Sequence, residues 1–136
     1  MVQNRKENTV FYPKEELADA LKGARELMND SGLHWVQGVS VAPIKRDGRV
    51  EYGYCSWGAI STTVPMDWEK KMAVIAELAK DEAIAATTLE PDVVRAPTSP
   101  EDEAYNKVVT FNDTPGRTWE EIDAAFRRAE ERLRSA

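Results

Sequence analysis

Two side chains invite a catalytic reading first. His34 and Cys55 are the one histidine and the one cysteine of the chain, and a thiol–imidazole dyad would let the base deprotonate the nucleophile. The plainer reading is preferred: His34 is a loop residue beyond a helix end, and Cys55 is a small buried hydrophobe beside Trp57. One histidine and one cysteine cannot supply a Cys/His zinc set, nor the paired histidines of a metalloprotease helix. Twenty-four acidic residues make chance carboxylate clusters inevitable, so they do not by themselves point to magnesium. Neither G-x-x-x-x-G-K-[ST] nor G-x-G-x-x-G occurs, and no cofactor is expected.

The most distinctive chemistry lies in Phe111-Asn112-Asp113-Thr114-Pro115-Gly116-Arg117-Thr118. Pro115-Gly116 suits the centre of a type II turn, with glycine at the positive-φ position. Asn112 and Asp113 can bond nearby backbone N–H groups in an Asx turn. Arg117 would then stand beside a helix N-terminus whose free N–H groups help hold an anion. The plainer alternative pairs Asp113 with Arg117 and merely fixes the loop. Trp35, next to His34, is a loop aromatic of the kind that anchors a partner or stacks on a base. Trp68 and Trp119 fall at helical spacing and read as core. Asn112, Asp113, Arg117, Trp35 and His34 are therefore the candidate binding residues.

These residues need elements to position them. Leu17, Ala20, Leu21, Ala24, Leu27 and Met28 step by three and four, which predicts a helix from Pro13 to Asp30 stopped by Gly32. Trp35 to Tyr54 reads as a hairpin turning at Asp47-Gly48, with Pro43 confined to an edge or bulge. Cys55 to Val64 is expected to be a short buried helix ending before Pro65. Asp67 then caps a helix to about Thr87, with Trp68, Met72, Ile75, Ala76 and Ala79 facing inward. Glu90 to Pro100 is a proline-rich loop, and Ser99 caps a short helix to about Lys107 that gives way to extended Val108–Phe111. Thr118-Trp119-Glu120-Glu121 is a capping box opening the last helix. Arg127, Arg128, Arg132 and Arg134, alternating with Glu130 and Glu131, look like a solvated face with intrahelical pairs. With an extended segment before it, that helix is a poor DNA-recognition helix.

Composition sets the frame. The 136 residues are 42% hydrophobic and 31% charged, which suits one globular domain over residues 11–136 behind a polar tail at 1–10. No run approaches the ~18 apolar residues of a membrane span. A single thiol suits a reducing, cytoplasmic setting. A net charge of −6 disfavours phosphate-backbone binding. The expected fold is α+β, mainly α: four or five helices around one core with a packed β-hairpin, the first and last helices in contact.

The run Phe111 to Leu133 resembles the C-terminal signature of an actinobacterial and actinophage family of unknown function: aromatic-Asn-Asp-x-Pro-Gly-Arg-Thr followed by an amphipathic helix. In that family the aromatic is usually tryptophan, where this chain has Phe111. The leading helix, Gln37-Gly38 after Trp35, and Cys55 with Gly58-Ala59 match its upstream pattern. The resemblance implies a small, mainly helical fold and such an origin, and it implies no activity. With no catalytic set assembled, a non-enzymatic module that binds another protein is the leading expectation. A small-molecule or nucleotide binder using Asn112, Asp113 and Arg117 comes second, and a nucleic-acid-linked regulator third.

Overall fold

The computed structural model describes residues 12–28, 34–89 and 100–135. Expectations at the N-terminal tail, Gly32, the proline-rich loop and Ser99 lie outside the described residues. Helix α1 (Lys14–Leu27) opens at Pro13, which needs no N–H there, and carries Glu15 and Glu16 in its positive first turn. Its stripe of Leu17, Ala18, Leu21 and Ala24 is buried. Strands β1 (Val41–Arg46) and β2 (Arg49–Tyr54) form an antiparallel hairpin. Its two-residue turn places Asp47 at φ 52 and Gly48 at φ 74, as a primed turn demands. From that turn, Pro43 opposite Tyr52 falls at a non-hydrogen-bonded position, so its missing N–H faces the free edge.

Helix α2 (Ser56–Thr63) ends before Pro65, as expected. Helix α3 (Trp68–Ala79) starts where Asp67 accepts from the Lys70 N–H at 3.0 Å. It does not continue to Thr87. The buried Asp81 carboxylate accepts from the Ala83 N–H and starts a separate short helix, α4 (Glu82–Ala85), a local bond that competes with the helical ladder. The inner face of α3 is Val74, Ile75 and Leu78. Trp68 is not core: it is 63% exposed, with its indole edge-on to Trp57 at the first turn of α3.

The largest departure is helix α5 (Pro100–Asp113), which runs straight through the segment expected to be extended. Three β-branched residues, Val108 to Thr110, cost a helix only a few tenths of a kcal/mol each. Burying Val108 and Phe111 against the core is worth about 1.5–3 kcal/mol apiece, so packing wins. Helix α6 (Trp119–Ser135) is amphipathic, with Ile122, Phe126, Ala129 and Leu133 buried, and lies along α1. Its arginines reach other helices more than their own. Arg127 pairs with Asp123, but Arg128 forms a two-point bridge to Asp81, Arg134 reaches Glu15 and Asp19, and Arg132 reaches Glu77. Glu130 is buried and bridged at two points by Arg25 of α1. One hydrophobic cluster draws side chains from all six helices, giving an α+β, mainly α fold.

Candidate functional site

Asn112, Asp113 and Trp35, singled out in sequence, converge where the segment leading into the hairpin meets the end of α5. Tyr54 holds that lead-in: its N–H donates to the His34 carbonyl at 2.7 Å, and the Val36 N–H donates to the Tyr54 carbonyl at 3.1 Å. Asn112 stands at the centre, 1% exposed. Its Oδ1 accepts from Trp35 Nε1 at 2.8 Å, the Ser56 N–H at 2.9 Å and the Ser56 hydroxyl at 2.8 Å. Its Nδ2 donates to the Val36 carbonyl at 3.1 Å and to Asp113 Oδ1 at 2.8 Å. The whole amide is consumed inside the protein.

The neighbours complete this clasp. Gln37 Nε2 donates to the Asn112 and Thr114 carbonyls at 2.9 and 3.0 Å, satisfying acceptors that a helix end leaves orphaned. The Gly38 N–H donates to Asp113 Oδ1 at 2.9 Å. Cys55 caps α2, its Sγ accepting from the Gly58 N–H at 3.3 Å. Gly58 lies so close to Ser40 that an added Cβ would sit 1.9 Å from its carbonyl oxygen. Asn112 and Asp113 thus close the last turn of α5 rather than forming an Asx turn in a loop.

Arg117 follows the expected turn. Gly116 has φ 85, and the Arg117 N–H donates to the Thr114 carbonyl at 3.0 Å. The expected pair with Asp113 is replaced. Arg117 Nε donates to the Phe111 carbonyl at 2.9 Å, Nη1 to Glu121 at 3.1 Å, and the guanidinium lies 3.8 Å above the Phe111 ring. The capping box forms as expected: the Glu121 N–H donates to Thr118 Oγ1, and the Thr118 N–H donates to Glu121 Oε1. That backbone bond, with Arg117 nearby, holds the Glu121 carboxyl below its ordinary range. The start of α6 therefore already carries a carboxylate of its own.

His34 and Cys55 have separate partners. His34 Nε2 lies 3.1 Å from Glu51, a hydrogen bond that lowers the Glu51 pKa. Burial pushes the Cys55 thiol up, away from the thiolate that a nucleophile needs. Trp35 is half-buried and lies 6.5 Å from Trp119, ring centre to ring centre.

Beyond the clasp, Asp113 and Arg117 border a groove of about 800 Å³ between the end of α4 and the outer side of α5. Ala83, Ala86, Val109, Phe111 and Pro115 give it an apolar lining. An adjoining hollow of about 300 Å³ shares Ala83, Phe111 and Arg117 and runs on to Ala124 and Arg128 of α6. The alanines and Val109 carried no chemical signal in sequence. They could have been found from Ala104, Val108 and Phe111, whose spacing continues a helix past Lys107. Ser56 was equally silent, and Gln37 stood out only through the family resemblance, because their partners lie 56 to 77 residues away. Among the described residues, no three His, Cys, Asp or Glu side chains gather as a metal site would require, and no helix is long and apolar enough to cross a membrane.

Fold and junction together define a small, mainly helical α+β protein whose hairpin is fastened to the helices by a buried asparagine. The chain belongs to a family of unknown function (DUF6197), whose model matches residues 13–132. No curated protein and no solved structure matches the chain.

Proposed function

We propose that the protein is a small accessory module that binds another protein, receiving a short segment of that partner in the groove bordered by Asp113 and Arg117. The observation that carries this reading is the groove itself: an open, apolar-lined hollow of about 800 Å³. Its one flanking arginine is already paired with Glu121 and stacked on Phe111. A fixed, charge-compensated rim around small apolar side chains suits the apolar anchors of a peptide segment. Asn112 and Trp35 serve the groove indirectly, by fixing the end of α5, while His34 pairs with Glu51 of the hairpin. The resemblance of Phe111 to Thr118 supports an actinobacterial or phage origin, and the single thiol supports a cytoplasmic setting.

Filling the groove tests this without touching the clasp. Ala86 and Thr88 line it and are exposed, so Ala86→Trp or Thr88→Trp should leave the fold intact while releasing a partner captured by the wild type. Capture unchanged by both substitutions sinks the proposal. A second reading, a small-molecule ligand, is favoured by the volume, which falls in the roughly 300–1,000 Å³ of such sites. It predicts a metabolite-dependent rise in melting temperature that Thr88→Trp abolishes.

A further inference from the structure

The groove between α4 and α5 is charged unevenly. Asp113 and Arg117 are its two charged lining residues. Arg117 is already engaged, its Nη1 by Glu121 and its Nε by the Phe111 carbonyl. Asp113 is met by no cation among the described residues. Its Oδ1 accepts from Asn112 Nδ2 at 2.8 Å and from the Gly38 N–H at 2.9 Å, and its Oδ2 has no partner there. The adjoining hollow leans the same way, since Glu120 and Glu121 line it and its Arg128 is bridged at two points by Asp81. Together the two hollows present three carboxylates and two guanidiniums, with Asp81 a further carboxylate behind Arg128. Compensation on this rim is complete for Arg117 and leaves Asp113 over.

Asp113 differs from the other unpaired carboxylates in place and in orientation. Glu69, for example, also stands without an ion pair among the described residues, but it lies in the first turn of α3, where the helix dipole favours it. Asp113 is the last residue of α5, at the negative end of the dipole, and α5 has no basic residue in its last turn. In that place α1 carries Arg25, and α6 carries Arg132 and Arg134. The carboxylate is also held: two N–H donors occupy Oδ1, so Oδ2 is the oxygen left to receive a ligand. Val109, one turn earlier on the same face of α5, lines the groove with it. An apolar wall therefore runs into a fixed negative charge that the protein does not neutralise.

We infer that Asp113 sets the selectivity of this groove, which takes a partner segment carrying a basic side chain beside its apolar anchor, the cation meeting Asp113 Oδ2. The inference rests on the groove being a peptide site and adds the property that decides which peptide enters. A basic side chain there neutralises the Asp113 carboxylate and the negative end of α5 together, while the anchor fills the apolar wall. An acidic segment is rejected by like charge, and discrimination of that kind is what complementary charge supplies best. Nucleic acid is excluded on the same ground, because the surplus carboxylates repel phosphate.

The test is selection of displayed random short peptides on the full chain, followed by affinity measurement on the peptides recovered. The expected result is enrichment of Lys or Arg beside an apolar residue, in peptides that Thr88→Trp releases. Asp113→Asn should weaken their binding at least about tenfold. Its amide oxygen still accepts from Asn112 and Gly38, so this variant should melt no lower than the wild type. Glutamine in place of the peptide's basic residue, a change that leaves the protein untouched, should cost the wild type the same factor and cost Asp113→Asn almost nothing. Peptides that Thr88→Trp releases but that carry no basic residue, or that bind Asp113→Asn as tightly as the wild type, overturn the inference and leave the groove reading standing. A peptide held by its basic residue alone, unaffected by serine at the apolar position, overturns it in favour of a simple amine pocket. Recovery of no peptide, or only of peptides indifferent to Thr88→Trp, overturns the groove reading and this inference with it.

Discussion

At the scale of single residues, Asn112 is the one side chain whose loss should reach furthest. It joins the segment leading into the hairpin, the start of α2 and the end of α5 through five hydrogen bonds, all inside the protein. Asn112→Ala would strand the Ser56 N–H and the Trp35 indole N–H, each at about 1–3 kcal/mol. We therefore expect a loss of roughly 3–5 kcal/mol in urea unfolding; a loss below 1 kcal/mol would show that water replaces the amide. The identity of this residue was visible in sequence as something unusual, but its role was not. A turn-forming Asn and a buried Asn look the same until the partners 56 to 77 positions away are brought to them. Arg117 is a second case: Asp113 and Glu121 stand four residues to either side of it, and only the folded turn sets it against Glu121 and Phe111.

Among the elements, α1 and α6 are joined by more than their apolar stripes. Arg25 and Glu130 are mostly buried, with side chains 14% and 10% exposed, and meet at 2.7 Å. Glu130→Ala should cost about 3 kcal/mol, because it leaves the guanidinium buried and unpaired. The double variant Arg25→Met, Glu130→Leu should recover most of that, as apolar packing often replaces a buried pair without loss. A double-mutant cycle in denaturant checks it, and additive costs would contradict a direct coupling.

The α6 capping box makes a pH prediction. The Glu121 pKa is lowered in the folded state by the Thr118 N–H and by Arg117, so its contribution is present above the unfolded carboxylate pKa. It is lost as pH falls through the folded value. Melting temperature followed downward from about pH 5 should fall less steeply for Glu121→Gln than for the wild type; parallel curves would contradict the assignment. This box and the leading helix were legible in sequence because both signals are local. The α3–α4 break and the full length of α5 were not. A buried Asp81 waiting for Arg128, and a core waiting for Val108 and Phe111, lie outside any local window.

For the molecule as a whole, the single cluster of buried side chains predicts cooperative unfolding. Trp35 and Trp119 report the clasp end, while Trp57 and Trp68 report the α2–α3 corner. Tryptophan fluorescence and far-UV circular dichroism should therefore give coincident urea transitions. Separated midpoints would mean that the hairpin and clasp detach before the helices melt. At this scale the proposed function also becomes spatially specific, with an apolar-lined groove beside α4 and α5.

What the sequence by itself determined is everything carried by short-range chemistry. That covers the amphipathic first and last helices, the Asp-Gly hairpin, the Asp67 and Thr118 caps, the Pro115-Gly116 turn, and the mainly α class. Each depends on neighbours within about one or two turns, where propensity, capping and periodicity are fixed by the chain itself. Only the tertiary structure decided that Asn112 faces inward, that Arg117 lies on Phe111, that Arg128, Arg132 and Arg134 pair outside their own helix, and that Trp68, Val41, Val50 and Tyr52 remain in solvent. Those outcomes depend on what surrounds a side chain after folding. A few kcal/mol of burial or hydrogen bonding from distant residues is enough to override the tenths of a kcal/mol that local preference supplies.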